Sequence, residues 1–315
     1  MRRRTLLACT LATPFISRLA RADEVVVVKM GVLKLIHSIT PYFYEKFVPA
    51  GYRVEVIPFE SPNDCKNAVV TQSIDFGTFG VAAAILSAAA HEPLTVIGSA
   101  CNKGMAIVAA KGSDINKITD LRGKRVAIWP GSTQEVFVLE RLRMEGMSVK
   151  DLTPVRISFS EMHSALARGD IDAYVGAEPA PGISVSTGIG KIVEYPYSTA
   201  MGSLNMILAT HHDTAESKPE LCKMMVNTQR QASAYAMGNP TAMMDMTVAK
   251  LGQKREALAI SVPNVELNWQ MTPDFITEST HYAEQMLALK QIKAIPDLKA
   301  LFDTRYSDAV AKLAS

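Results

Sequence analysis

The 315-residue sequence predicts an α/β protein of two doubly wound lobes around a ligand cleft, with two hinge crossings and a C-terminal helical segment packed on lobe one. Three observations carry that expectation. β-branched runs alternate with capped helical segments from residue 24 to about 210. Two stretches, VEVIPFES…SIDFGTFG (54–61, 73–80) and VRISFSE…DIDAYVGAEP (155–161, 170–179), share one plan of strand, capped helix, Ile-Asp and small-residue strand end. Beyond Thr210 the pattern is almost wholly helical, punctuated by Pro219, Pro240, Pro263, Pro273 and Pro296.

In chain order, EVVVVKMGV (24–32) is β-branched enough for a buried central strand. Thr40-Pro41 reads as an N-cap followed by proline at the first helical position, opening a helix through Phe47. Arg53–Phe59 is a strand, Ser61-Pro62 repeats the cap-then-proline device, Ile74–Phe79 is a strand, 81–90 a helix and Leu94–Ser99 a strand. Short connections between such units predict a largely parallel sheet with ligands beyond the carboxyl ends of its strands. A second pass follows: strands at Met105–Ala110, Arg125–Trp129, Val155–Ser158 and Ile171–Val175, and a helix over SEMHSALARG. After a strand at Asn205–Thr210, helices are expected over roughly 217–237, 240–251, 254–260, 272–290 and 297–314. Crossings near 103–110 and 201–210 would make a hinge. The division is then 23–104 with 206–315 as lobe one, and 105–205 as lobe two.

Residues 1–22 read as an export signal, with three arginines, an apolar segment from Leu6 to Leu19 and a small-x-small site at Ala20-Arg21-Ala22. Arg3-Arg4-Thr5-Leu6-Leu7 fits a twin-arginine core, which implies a periplasmic protein cleaved near Ala22. Cys9 resembles a lipoprotein box placed too early, and the segment is too short to span a bilayer. It holds five of the 33 basic residues and no acid, so the remainder has 28 basic against 31 acidic residues, net −3. That balance excludes binding to phosphate backbones through concentrated Lys and Arg. Cys65, Cys101 and Cys222 are far apart and without a CxxC, so neither a disulfide framework nor a zinc site is expected.

The stretch AIWPGSTQEVF (127–137) turns from strand to helix over a small-residue loop. Ser132 reads as N-cap and Glu135 as its capping-box partner. The free N–H groups and the positive end of the helix dipole can meet an anion or polar group.

The segments QSIDFGTFGVAAAILSAA (72–89), ITDLRGKRVAIWPGSTQEVFVLERLRMEGM (118–147) and EMHSALARGDIDAYVGAEP (161–179) resemble the periplasmic substrate-binding proteins of ABC importers, in the nitrate, sulfonate, taurine and thiamine-pyrimidine-precursor branch, with a bilobal type II fold. The resemblance implies a monomeric receptor that closes over a small organic or anionic solute and delivers it to a membrane permease with its ATPase. It implies no cofactor, metal or nucleic acid. It places ligand contacts at strand ends facing the cleft: Lys34, His37 and Ser38, then Thr78, Phe79 and Gly80, from lobe one. Lobe two offers Trp129, Gly131, Ser132, Thr133 and Glu178, and Asn205 lies near the second crossing. Glu178 would favour an amine or ring N–H, so a mixed-charge solute or a heterocycle fits better than a simple inorganic anion. For Trp129, stacking on a ligand and packing in the core stay equally open.

The cysteine-rich motif of pyrimidine-synthesising relatives is missing, as are GxSxG, HExxH and the P-loop. His211-His212 lacks a spaced third ligand. Glu60 and Glu161 sit near matching strand ends and read as partners of helix starts, and the methionines from 224 to 246 as helix packing. An enzyme on the same fold and a solute-sensing module are the alternatives to a transport receptor.

Overall fold

A computed structural model describes residues 25–314; the export signal, its twin-arginine core and Cys9 lie outside them. The described strands are β1 (Val26–Leu33), β2 (Tyr52–Phe59), β3 (Phe76–Gly80), β4 (Leu94–Lys103), β5 (Met105–Ala110), β6 (Arg125–Ala127), β7 (Thr153–Val155), β8 (Ala173–Ala177), β9 (Gly190–Glu194), β10 (Leu204–His211) and β11 (Val265–Leu267). They form two sheets, ordered β11-β4-β10-β3-β1-β2 and β7-β6-β8-β5-β9.

The two-lobe α/β architecture follows from how these sheets are wound. In the first, β1 pairs parallel to β2 and β3, while β10 runs antiparallel between β3 and β4. In the second, β6 pairs parallel to β7 and β8, while β5 runs antiparallel between β8 and β9. Each sheet is therefore a parallel set with one reversed strand near its middle, and the first sheet carries a second, β11, antiparallel to β4 at its edge, so both are more mixed than the expected largely parallel sheets. The reversed strands β5 and β10 are those that enter a sheet directly from the other one. A strand that arrives by crossing over rather than through a βαβ unit is free of that unit's parallel constraint.

Strand alternation divides the core of the second sheet. Ile107, Ala109, Ala173 and Val175 face one apolar cluster with Val138 and Leu142. Val108 and Tyr174 face the other way, into a cluster that runs on through Phe137, Tyr282 and Met206 to Phe76 and Met30 of the first sheet. Burying each Val, Ile, Leu, Met or Phe side chain among these is worth about 1.5–3 kcal/mol.

Several local expectations are corrected. Thr40 is not a cap: Ile39 precedes a 3-10 helix at Thr40–Lys46, and Thr40 Oγ1 is buried without a partner. Ser61 does cap Pro62–Val70, accepting from Asp64 N–H at 3.4 Å. Helices at Ala180–Ser186 and His212–Ser217 and strands β9 and β11 had no sequence signal, and the last tail helix is split into Leu298–Leu301 and Arg305–Ala314. The tail also reaches the second sheet's helices. Helix Pro273–Ala288 sends Tyr282 OH to Thr133 O at 2.8 Å, and Tyr282 meets Phe137 edge-on at 5.7 Å. Among the described residues no helix is long and apolar enough to cross a membrane.

Candidate ligand site

Two helix starts meet where the sheets face each other. Helix Val81–Ala89 begins directly after β3, with Gly80 as an N-cap that offers no side-chain bond. Helix Thr133–Met144 begins after Ser132, whose Oγ accepts from Glu135 N–H at 3.1 Å and donates to Trp129 O at 2.7 Å. A side chain at Gly80 would collide with Thr133 Oγ1. The positive ends of both helices, with N–H groups that lack intrahelical acceptors, are thus within contact of each other.

The capping box differs from expectation. Glu135 Oε2 accepts from Gly131 N–H at 2.7 Å, because Ser132 N–H is already turned to Trp129 O. Glu135 also takes a bond from Gln291 in the tail at 3.0 Å. Burial holds its carboxyl above the usual range against those two bonds. Gly131 has φ +74° and faces the Asn63 amide, a backbone conformation that glycine adopts without Cβ strain.

Of the positions named from sequence, Ser38, Thr78, Gly80, Thr133, His37 and Asn205 are brought together and buried. Ser38 Oγ and Thr78 Oγ1 are 3.1 Å apart. Thr133 Oγ1 donates to Asn205 O at 3.3 Å. Asn205 Nδ2 donates to Lys103 O at 2.6 Å, which fixes the amide orientation and leaves Oδ1 buried with no partner. The His37 ring packs on Gly104, the next residue along, and both its nitrogens are likewise buried and unpaired. Burial lowers the His37 pKa to about 3, so the ring is neutral. Native interiors rarely leave such atoms unpaired, and three of them lie around the one peptide unit between Lys103 and Gly104.

The other named residues stand differently. Phe79 is a core side chain. Trp129 is half-buried, 6.4 Å from Phe159 with the Arg156 guanidinium 5.3 Å over its ring. Lys34 is about half exposed and pairs with Glu60 at 2.6 Å. Glu60 also accepts from Ser160 across the cleft at 3.3 Å, and Glu161 from Ser158 at 3.0 Å. Glu178 is buried and fully engaged by Gly182 N–H, Ser261 and Asn264, with burial raising its pKa against those bonds.

Sequence reading missed Gly104, Ser261, Asn264 and Tyr282, which carry no motif. Cys65, Cys101 and Cys222 are free and buried, their thiols pushed up by desolvation. Among the described residues no group of three or more His, Cys, Asp or Glu could hold a metal.

A family model described as NMT1/THI5 like matches residues 42–243, well over half of the chain. The chain belongs to the NMT1/THI5-like family. Within and around that family it is 25% identical over 277 residues to a provisionally named binding protein of Brucella abortus (strain 2308), covering 84% of this chain and 83% of the relative. It is 25% identical over 230 residues to the taurine-binding periplasmic protein of Escherichia coli (strain K12), covering 71% of each. The alkanesulfonate-binding protein of Xanthomonas axonopodis pv. citri, bound to MOPS, superposes with TM-score 0.78 at 17% identity over 88% of this chain and 98% of its own. The NMT1/THI5-like match is not confined to binding proteins. A 4-amino-5-hydroxymethyl-2-methylpyrimidine phosphate synthase of Aspergillus parasiticus is 22% identical over 215 residues, covering 64% of this chain and 61% of the relative.

Proposed function

We propose that this chain is the solute-binding receptor of an ABC-type uptake system, acting in the periplasm and delivering a small organic or anionic solute to a membrane permease. The observation that carries the reading is the cluster of buried, unpaired polar atoms on His37 and Asn205 beside two helix starts that meet at Gly80 and Thr133. The helix ends suit an anionic or acceptor group, each contributing about 0.3–1 kcal/mol and up to ~2 when partly buried. Asn205 Oδ1 requires a donor from the solute, and a neutral imidazole offers one donor and one acceptor. Sulfonates, among them the aminosulfonate taurine, are the first class to test, followed by nitrate, pyrimidines and aromatic acids. Ser38, Thr78, Gly80, Thr133, His37 and Asn205 form the contact set; Trp129, Gly131 and Ser132 form its second wall.

Binding rather than chemistry is supported by the state of the titratable groups. His37 is a very weak base, the cysteines are buried thiols, and Glu178 and Glu60 are held by other residues. Micromolar affinity requires about −8 kcal/mol. A solute present at about a hundred times its Kd adds about 2.7 kcal/mol to stability. The test is native mass spectrometry for a co-purifying molecule, then a melting screen of the solute classes above. The expected result is a raised Tm with the solute recovered unchanged; conversion of the solute to a product would overturn the reading.

A further inference from the structure

Glu178 follows the last residue of β8 and is 1% exposed. Each of its hydrogen-bonding groups is engaged. Oε2 accepts from Ser261 Oγ at 2.6 Å and from Gly182 N–H at 3.1 Å, and Oε1 from Asn264 Nδ2 at 3.0 Å. Its backbone N–H donates to Gly104 O at 2.8 Å, and its carbonyl accepts from Ile36 N–H at 3.2 Å. One residue thereby joins the second sheet, the crossing between β4 and β5, the loop that carries His37, and the tail.

The tail side of this junction is built to fit. Helix Arg255–Ser261 lies against helix Ala180–Ser186 at Gly182, where a Cβ would collide with Ser261 Oγ and stand 2.7 Å from Ala257 O. Asn264 O accepts from Gly104 N–H at 2.7 Å, so the tail also grips the crossing itself. Asn264 Nδ2 donates to Tyr195 OH at 3.3 Å. A cavity of about 490 Å³, lined from both sides by His163, Ile183, Thr187, Lys254 and Ala257, opens beside the seam.

We propose that Glu178 is a positioning residue, a latch that ties the second lobe to the tail through Ser261 and Asn264 and so holds the crossing and the His37 loop in the closed arrangement. Parting this seam leaves a carboxylate and three donors to be satisfied together, which opposes opening as one unit. Solute affinity then depends on Glu178 although it touches no solute, because a closed form that is more populated binds more tightly by that fraction. The proposal rests on the reading of the cleft as a binding site, but its test needs no solute, so the two can fail separately.

The experiment is hydrogen exchange and small-angle scattering on the solute-free full chain, comparing wild type with Glu178→Gln and Ser261→Ala. In either orientation the amide that Glu178→Gln introduces turns its NH2 toward Asn264 Nδ2 or toward Gly182 N–H, groups that only donate, while the side-chain volume is kept. The informative amides are Ile36 and Gly104, whose bonds are made with backbone oxygens and do not involve the replaced side chains. The latch predicts exchange at least about tenfold faster at both in Glu178→Gln and a larger radius of gyration, with Phe76 and Leu208 in the first sheet unchanged. Ser261→Ala, which removes one of three donors, gives the same pattern at smaller amplitude and stands alone if Glu178→Gln does not fold. Wild-type exchange at Ile36 and Gly104, or acceleration spread evenly over the chain including Phe76 and Leu208, overturns the proposal.

Discussion

The two sheets begin in the same way and end differently. In the first, Asp75 N–H donates to Lys29 O at 3.0 Å while its carboxylate accepts from Lys29 N–H at 2.8 Å. In the second, Asp172 N–H donates to Arg125 O at 2.8 Å and its carboxylate accepts from Arg125 N–H at 2.8 Å. The repeated Ile-Asp pair is thus a pin that sets the register of a parallel neighbour at the strand's amino end. At the carboxyl ends the copies part. β3 runs through Gly80 straight into a helix start that faces the cleft, whereas β8 runs into Glu178, whose side chain is closed by the tail. A shared unit keeps its folding device and diverges where the strand leaves the sheet, into the proposed roles of receptor surface in one copy and joint in the other.

The largest effect that can break this comparison is in the response to acid. His37 has a depressed pKa, so between 6.5 and about 3 the unfolded chain binds a proton that the folded one does not, and stability is lost as pH falls through that window. At about 1.36 kcal/mol per unit the full span is about 5 kcal/mol, of which about 2 falls between pH 6.5 and about 5. Glu178 has a raised pKa, so the folded chain binds the extra proton and its contribution falls as pH rises above the ordinary carboxyl range. Denaturant melts from about pH 4 to 7 should show a flatter acid limb for His37→Phe and a steeper one for Glu178→Gln. Equal slopes in the two variants would erase the proposed division of roles.

A second test asks whether the pins are equivalent. Asp75→Ala and Asp172→Ala should each cost about 1–1.5 kcal/mol by removing a net hydrogen bond to an exposed backbone N–H that water can then reach. Asp172 additionally pairs with Arg125 through partly exposed side chains, an interaction that solvent screens. A cost confined to one sheet would show that the repeat is only one of sequence. Smaller still, Gly131→Ala places a Cβ at φ +74° and 3.1 Å from the Asn63 amide, with an expected loss of about 1 kcal/mol in chemical unfolding. Lys34→Ala should lie within about 0.5 kcal/mol of wild type, because its ion pair with Glu60 is half exposed.

Much of the fold was legible because hydrophobic period, caps and proline positions are local. β5 matches its expected range, Ser132 caps as read, and the repeat was visible in Ile-Asp before either pin could be measured. The reversed direction of β5 and β10 was not, since a strand's polarity in a sheet is decided by which edge the crossing chain reaches. β9 and β11 are short and take their place from their neighbours, not from their own residues. For the site, strand ends could be named but not the state of their groups. Glu178 looks like a free cleft carboxylate until Ser261 and Asn264, 83 and 86 residues on, are seen to occupy it. Gly104 carries no signal at all, yet its missing side chain is what admits the His37 ring.

The chain's two tryptophans, Trp129 and Trp269, belong to different sheets' surroundings. Trp269 sits by β4, its carbonyl accepting from Ser99 N–H at 3.0 Å, while Trp129, proposed as a wall of the solute site, lies beneath Arg156. A guanidinium over an indole is sensitive to small displacements, so the molecule carries its own optical reporter. In a Trp269→Phe background, the emission of Trp129 alone would follow the wall's movement in real time without an attached dye.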